Sequence, residues 1–247
     1  MPPAPVSRWV QSFWQLSVPS GGFSYHSIPD NSVDWVINTN RFEDSFIVPP
    51  FLSPTLFEMT GPVSYFGIRF RLLGHQALIS TPLGEWGLGD AVNSRDILPS
   101  HVIQAVFESI KEAERFRDRC NNVSIILLSI AKYSKIDPRV ARYIRYCCEN
   151  VSSNINLSDK QCLEFGLSGR QLRRLSQLYL GLRPRDFARV LRFQKTVKSL
   201  SMGNNKTAWA DHYYDQPHYI REFKRLSGLT PTKFANSSVL YNHHSSL

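Results

Sequence analysis

Cysteine is scarce in this 247-residue sequence, and long apolar runs are missing. The four cysteines, Cys120, Cys147, Cys148 and Cys162, form no CxxC pair and no spacing that suits a metal ion. We therefore expect reduced thiols, buried or half-buried, as in a cytoplasmic protein. The most apolar window, Val123–Ala131, is too short to cross a bilayer. The N-terminus also lacks a charged region before an apolar run, so we expect neither a membrane segment nor a secretory signal.

Acidic residues are scarce in the second half of the chain. Residues 131–247 contain 20 Lys and Arg against 8 Asp and Glu, a net charge of +12, whereas residues 1–130 contain 9 against 12, a net charge of −3. The length allows two domains. A basic half can be an ordinary solvated surface, but basic residues gathered on the exposed faces of helices indicate contact with phosphates.

The first half lacks the residue spacings that catalysis or metal binding requires. Its histidines and several of its carboxylates lie at no such spacing, namely His26, Asp30, Asp34, Glu43, Asp44, His75 and His101. We therefore expect no catalytic residue, no metal and no other cofactor. Arg69 and Arg71 flank Phe70 on an alternating strand and share a face, which leaves an anion site open as an alternative.

Residues 1–98 are predicted to form a β-rich domain. Ser32–Ile37 and Val63–Phe70 are rich in β-branched and aromatic residues and are bounded by turn residues, as strands are. Pro29-Asp30-Asn31 predicts a turn before the first of these strands.

Residues 99–136 are predicted to connect this domain to a second one through helices. One helix is expected from Pro99-Ser100 to about Cys120, and a second, more apolar helix from about Val123 to Tyr133. Such helices either pack on the first domain or form a dimer seam, and the sequence pattern leaves both possibilities open.

A short basic helix is predicted after Gly166. Ser168 is a suitable N-cap, because its hydroxyl can accept a hydrogen bond from an unpaired N–H of the first turn. The apolar face carries Leu172, Leu175 and Leu178, whereas the other faces carry Arg170, Arg173, Arg174 and Gln177. A helix of this kind packs on a small core and still presents guanidinium groups to an anion.

A second basic helix is predicted from Gln216 to Leu226. Asp215 is its expected N-cap, Pro217 lies in its first turn, and Gly228 ends it. The predicted buried face consists of Tyr219, Phe223 and Leu226, and the outward residues are Gln216, His218, Arg221, Lys224 and Arg225.

A linker helix is predicted between the two basic helices. Gly181-Leu182-Arg183-Pro184 ends the first basic helix and starts the linker. The linker has about 17 residues, which at about 1.5 Å per residue span roughly 26 Å. Successive major-groove segments on one face of a duplex lie about 34 Å apart. One chain can therefore present two helices to the same face of DNA.

The residues from Tyr213-Tyr214-Asp215-Gln216-Pro217-His218 through Arg221–Pro231 resemble the DNA-binding domain of AraC-type (AraC/XylS) transcription regulators. That domain has two helix-turn-helix units joined by a linker helix, and the match covers roughly Asp137–Phe234. The resemblance implies that residues 137–247 are such a domain. One departure is His212, at the end of the expected scaffold helix Asn204–His212, where the family usually has a glycine.

The first half is similar, in a patchier way, to the N-terminal domain of one subgroup of these regulators, at Ile28–Asp34 and Gly67–Phe70 among other positions. In the wider family such a domain senses an effector or mediates dimerisation. The expected fold class is therefore α+β, with a β-rich, sensor-like N-terminal domain followed by an all-α C-terminal domain with two helix-turn-helix units.

The resemblance implies a bacterial, cytoplasmic transcription regulator that reads two adjacent major-groove segments. It implies an activator of transcription and no enzymatic activity. By position, it implies DNA contacts from Arg170, Gln171, Arg173, Arg174, Gln177, Gln216, Pro217, His218, Arg221, Lys224 and Arg225. Expected partners are double-stranded DNA and RNA polymerase, with a small-molecule effector and a second copy of the chain as further candidates. Two alternatives remain open: an enzyme-like or small-molecule-binding first domain tethered to DNA, and an architectural protein that binds any duplex.

Overall fold

The computed structural model of the chain describes residues 2–86, 90–132, 136–151, 155, 157–202 and 213–236. In chain order, the strands are β1 (Val10–Ser27), β2 (Asp34–Asn38), β3 (Phe46–Val48), β4 (Thr55–Phe70) and β5 (Val92–Asn93). The helices are α1 (Ser94–Ile97), α2 (Ser100–Lys111), α3 (Phe116–Ile130), α4 (Pro138–Glu149), α5 (Asp159–Glu164), α6 (Gly169–Leu180), α7 (Pro184–Ser201), α8 (Gln216–Ser227) and α9 (Pro231–Ala235). This order confirms the predicted α+β class.

The strands form an antiparallel sheet in the order β1-β4-β2-β3-β5. The predicted strand at 32–37 corresponds to β2, and the predicted strand at 63–70 is the second half of a longer β4. The first half of β4 alternates exposed and half-buried positions and lacks the apolar run that marks its second half. It is a strand because β1 pairs with it along its whole length, from Val10 opposite Phe70 to Ser27 opposite Thr55.

Helices α2 and α3 cover one face of the sheet. Their buried residues Val102, Ile103, Val106, Ile110, Val123 and Leu127 form one apolar core with Trp35, Ile37, Phe66 and Ile68 of the sheet. Of the two possibilities that the sequence left open for these helices, the structure shows packing on the first domain. The predicted domain boundaries at 98 and 136 stay a prediction.

The predicted helix from residue 99 to Cys120 is wrong, because the chain breaks between α2 and α3. The chain turns at Ala113, which is buried, and Arg119 donates a hydrogen bond from Nε to the Ala113 carbonyl at 2.8 Å. The turn brings the Phe116 ring within 5.9 Å of the Phe66 ring, centroid to centroid. One continuous helix would carry Phe116 away from the sheet. The second predicted helix ends at Ile130, and Tyr133 lies outside the described residues.

Several helix ends of the helical half follow from local sequence features. Asp137 caps α4 by accepting from the backbone N–H of Arg139 at 2.9 Å, with Pro138 in the first turn. Gly166 makes the turn after α5 with a φ of 76°. The predicted linker is α7, whose 18 residues span about 27 Å. Tyr143 of α4 donates from its hydroxyl to the Pro184 carbonyl at 2.8 Å and so fixes the start of α7.

The cysteines are free thiols, with Cys147 and Cys162 buried and Cys120 and Cys148 half-buried. Burial raises the pKa of Cys147 to about 12 and that of Cys120 to about 11, so both thiols stay protonated at neutral pH. Within the described ranges, no group of His, Cys, Asp and Glu side chains is placed to hold a metal ion. The helices among these residues also lack the combination of length and apolar character that crossing a bilayer requires.

His75, in a 3₁₀ turn at Gly74–Ala77, makes the stability of the first domain depend on pH. Burial lowers its pKa from 6.5 to about 4. Below pH 6.5 the unfolded chain therefore binds a proton that the folded chain does not, and the free energy of unfolding falls as pH falls towards 4. Between pH 7.5 and 4.5 we expect the native chain to lose about 2–3 kcal/mol more than His75→Gln does. Urea unfolding at both pH values measures this difference, and equal losses in the two proteins would contradict it.

Candidate nucleic-acid interface

The start of α6 is fixed by a reciprocal pair of hydrogen bonds. The hydroxyl of Ser168 accepts from the backbone N–H of Gln171 at 3.2 Å, and the Gln171 side-chain oxygen accepts from the backbone N–H of Ser168 at 2.9 Å. This capping box pairs two N–H groups that a helix start otherwise leaves open. The side-chain oxygen of Gln171 therefore holds the helix start, a role that was not predicted for it.

The rest of α6 has one apolar and one basic face. Leu172 and Leu175 are buried, and Leu178 is half-buried beside them. The exposed face carries Arg170, Arg173 and Arg174. The helix ends at Gly181, whose left-handed φ of 67° suits glycine, and the half-buried Gln177 donates from Nε2 to the Gly181 carbonyl at 3.0 Å. The structure thus groups the three arginines near the start of α6 and places Gln177 apart from them, at its end.

Helix α8 repeats this design. Asp215 caps it by accepting from the backbone N–H of His218 at 2.6 Å, and Gly228 ends it with a φ of 75°. The buried residues are Tyr219, Phe223 and Leu226, as predicted, and Gln216, Pro217, Arg221, Lys224 and Arg225 are exposed. His218 is half-buried, with its ring 5.6 Å from that of Tyr213, centroid to centroid. The expected scaffold helix Asn204–His212, including the departure at His212, lies outside the described residues.

Two arginines of the linker contact α8 and the segment that precedes it. Arg189 forms an ion pair from Nε to Oε2 of Glu222 at 3.2 Å, and Arg192 lies 5.6 Å from the centre of the Tyr213 ring. Neither role was predicted from the sequence. The sequence feature that could have indicated the contact with Arg189 is Glu222, a single carboxylate on a helix whose other charged residues are basic.

A cavity of about 420 Å³ lies between α5, α6 and the start of α7. Arg173, Arg183 and Arg185 border it and are exposed, whereas Arg189, also at its edge, is paired with Asp186 at 3.1 Å. Arg183 and Arg185 were not among the contacts predicted from the sequence. Their position on either side of Pro184, at a helix start beside a basic helix, was the signal for them.

The alternative of an anion site at Arg69 and Arg71 is wrong. Arg69 is buried and donates from Nη2 to Oδ2 of Asp34 at 2.7 Å, and it forms a second ion pair with Asp30 at 3.0 Å. Burial disfavours the charged guanidinium, but the two carboxylates outweigh burial and raise the pKa of Arg69 above its ordinary value. Arg71 donates from Nε to the Ser7 carbonyl at 2.7 Å. Both guanidinium groups are thus engaged within the protein.

Two family models match the chain. Residues 1–89 match a domain of unknown function (DUF6597), and residues 161–237 match a helix-turn-helix domain. A comparison with curated proteins finds none that matches significantly.

Solved structures of ToxT from Vibrio cholerae are similar to the chain, with low sequence identity and low TM-scores. One shares 11% identity over 91% of this chain and 96% of ToxT, with a TM-score of 0.47. ToxT of strain O395 bound to (E)-4-(8-methylnaphthalen-1-yl)but-3-enoic acid shares 11% over 91% and 97%, with a TM-score of 0.46. ToxT of strain SCE256 with a bound unsaturated fatty acid shares 9% over 90% and 93%, with a TM-score of 0.44.

The family match from residue 161 to 237 falls on α5 to α9, where the capped basic helices α6 and α8 lie on either side of α7. The chain therefore carries a helix-turn-helix domain of the AraC type, a DNA-binding domain of transcription regulation, behind an N-terminal domain of the DUF6597 family.

Proposed function

We propose that the protein is a sequence-specific transcription regulator that reads two adjacent major-groove segments, one with α6 and the other with α8. The observation that carries this proposal is a shared design: each helix buries an apolar face and exposes a basic one. Helix α7, about 27 Å long, is bound to both units, through Tyr143 at its start and through Glu222 farther along. Its length is comparable to the roughly 34 Å between successive major-groove segments.

The proposed DNA contacts differ in kind. Arginine commonly pairs with guanine and glutamine with adenine, so base edges are assigned to Arg170, Arg173, Arg174, Gln216, His218 and Arg221, with Pro217 beside them. Phosphate contacts, which position the protein without reading sequence, are assigned to Gln177, Lys224 and Arg225. Gln171 acts chiefly through the capping box that fixes the start of α6.

Control of this activity is assigned to the first domain. An effector or a partner acts there, RNA polymerase and a second copy of the chain are the proposed protein partners, and the sign of control is activation. Because the proposed target is chromosomal DNA, the protein acts in the cytoplasm of a bacterial cell. No chemical step is proposed, since binding alone accounts for such a role.

Arg174→Ala and Arg221→Ala are each expected to weaken binding to the specific duplex by about 1–3 kcal/mol, because each removes one contact from one groove segment. Gel-shift titration against the promoter of the protein's own gene or of a neighbouring gene measures the loss. Arg41→Ala is the matched control, since Arg41 is an exposed arginine of the first domain that pairs with a nearby surface carboxylate, Asp44. Unchanged affinity in both test variants would overturn the assignment of these helices.

The architectural alternative makes a different prediction for the native protein. A regulator binds its specific duplex far more tightly than a scrambled one at the same salt concentration. A protein that binds any duplex shows one affinity and one salt dependence for both. Equal titration curves on the two duplexes would therefore favour the architectural role over the proposed one.

A further inference from the structure

The first domain contacts the second helix-turn-helix unit along α7. Ile28, which follows β1, is only 2% exposed and belongs to the same apolar cluster as Phe193 and Val197 of α7. The next residues add polar contacts. The Pro29 carbonyl accepts from Nε2 of Gln194, and Asn31 donates from Nδ2 to the Phe187 carbonyl at 3.2 Å. Residues 28–31 therefore follow α7 for about two turns, since a turn has about 3.6 residues.

The first domain also contacts the first unit, at the end of α6. A 3₁₀ turn at Leu83–Glu85 lies so close to it that a Cβ on Gly84 would come within 2.7 Å of the Gln177 carbonyl oxygen. The Leu83 side chain lies 3.2 Å from the place of a Cβ on Gly181, the residue that ends α6. Leu73, which follows β4, is buried in the apolar cluster of this unit. The contact is therefore close, and it includes backbone on both sides.

The segment that binds α7 is rigidly held on its own side. Asp30 forms an ion pair with the buried Arg69 at 3.0 Å and accepts from the backbone N–H of Ser32 at 2.9 Å. Arg69 in turn is fixed by Asp34 of β2. Asn31 and Pro29 thus extend from a buried ion cluster in the sheet, so the contact with α7 is tied to the frame of the first domain.

We propose that the first domain is a brace that fixes the separation of the two helix-turn-helix units. It contacts the second unit through Ile28 and the first through Leu83–Glu85, with Pro29 and Asn31 bound to α7 between them, so α7 alone does not set that separation. The consequence for DNA rests on the function proposed above. Two sites held at a fixed distance bind a matching pair of targets with less loss of conformational freedom than two loosely joined sites do.

The brace leaves the basic faces accessible. Arg170 and Arg174 on α6, and Gln216 and Arg221 on α8, are exposed with the first domain in place. Its contacts fall instead on the end of α6 and on α7. The braced form is therefore the form that binds both DNA segments, and weakening the brace lowers two-segment binding.

Gly84→Ala is the direct test, because the new methyl group must push the turn away from the Gln177 carbonyl. Its matched control is Gly22→Ala, where a Cβ would have no atom within 4 Å. Asn31→Ala independently weakens the contact of the first domain with α7, and Asn121→Ala, at an exposed position on α3, is its control.

Pulsed electron paramagnetic resonance on the full chain measures the separation without DNA. Labels are placed by Leu163→Cys in the first unit and Tyr214→Cys in the second, whose native side chains are 67% and 93% exposed. The half-buried Cys120 and Cys148 are replaced by serine. We expect one narrow distance distribution in the parent and in both controls, and a broader or displaced one in Gly84→Ala and Asn31→Ala. An unchanged distribution in both test variants overturns the brace.

Binding to DNA tests the consequence. Gly84→Ala is expected to bind a duplex with both recognition segments about tenfold more weakly than the parent, and to bind a duplex with one segment scrambled as tightly as the parent does. Equal affinity for the two-segment duplex overturns the role of the brace in DNA binding. If the parent itself does not distinguish specific from scrambled DNA, the proposed function fails, and the distance measurement still decides whether the brace exists.

Discussion

Arg69→Leu is expected to lower the free energy of unfolding by about 3–5 kcal/mol, because it leaves two carboxylates buried without a countercharge. Those carboxylates, on Asp30 and Asp34, face the guanidinium at 3.0 and 2.7 Å, and the residues of the cluster are less than a tenth exposed. Urea unfolding at pH 7 measures the loss. Trp14 donates from Nε1 to Oδ1 of Asp34 at 3.1 Å and is therefore part of the same cluster.

Two further variants test whether the buried ion cluster causes this loss of stability. Arg69→Lys keeps the charge but cannot form the paired hydrogen bonds to Asp34, so an intermediate loss is expected. Arg41→Leu removes a surface ion pair in the same domain, between side chains that are 71% and 48% exposed, and should change stability by about 0.5 kcal/mol or less. If Arg69→Leu costs no more than Arg41→Leu, the buried cluster does not stabilise the sheet.

Phe223→Ala is expected to cost about 3–5 kcal/mol, because it opens a cavity at the centre of the second unit. The ring is fully buried, with its centre 5.2 Å from that of Phe193, 5.6 Å from that of Tyr219 and 5.1 Å from that of Phe234. Losing it separates α8 from α7 and α9. Hydrogen exchange of the α8 amides measures this directly, and they should exchange much faster than those of α6.

Ile220→Ala is the matched control for this change. Ile220 lies on the same helix but is 38% exposed, so its truncation should cost about 1 kcal/mol or less. Equal protection of the α8 amides in both variants would contradict the view that the aromatic cluster holds this helix. Protection lost in α6 as well would show that the two units unfold together.

The helix ends were predictable because their causes are local. Ser168 and Asp215 cap helices with side chains that reach only three residues along the chain, and Gly181 and Gly228 end helices through their own backbone angles. The capping role of Gln171 was also visible, since Ser followed three residues later by Gln is the pattern of a capping box.

Other features were not predictable because their causes lie far away along the chain. The break between α2 and α3 follows from the contact of Phe116 with Phe66 on the sheet. The charged residues around the break form no pattern that would predict it. The basic linker residue Arg189 contacts Glu222 of another helix, so periodicity alone assigns it to an exposed face. The sequence pattern shows which face of a helix is apolar. The residues that the polar side chains of that helix contact depend on the complete fold.

The position of Ile28 has a consequence for how the protein is made. During translation Ile28 leaves the ribosome well before Phe193, Phe223 and Phe234, which belong to the same apolar cluster. The nascent first domain therefore keeps an apolar residue uncovered until α7 and α8 have been synthesised. A product that stops before Tyr213 never covers it fully, so truncated chains should be preferred substrates for chaperones and proteases.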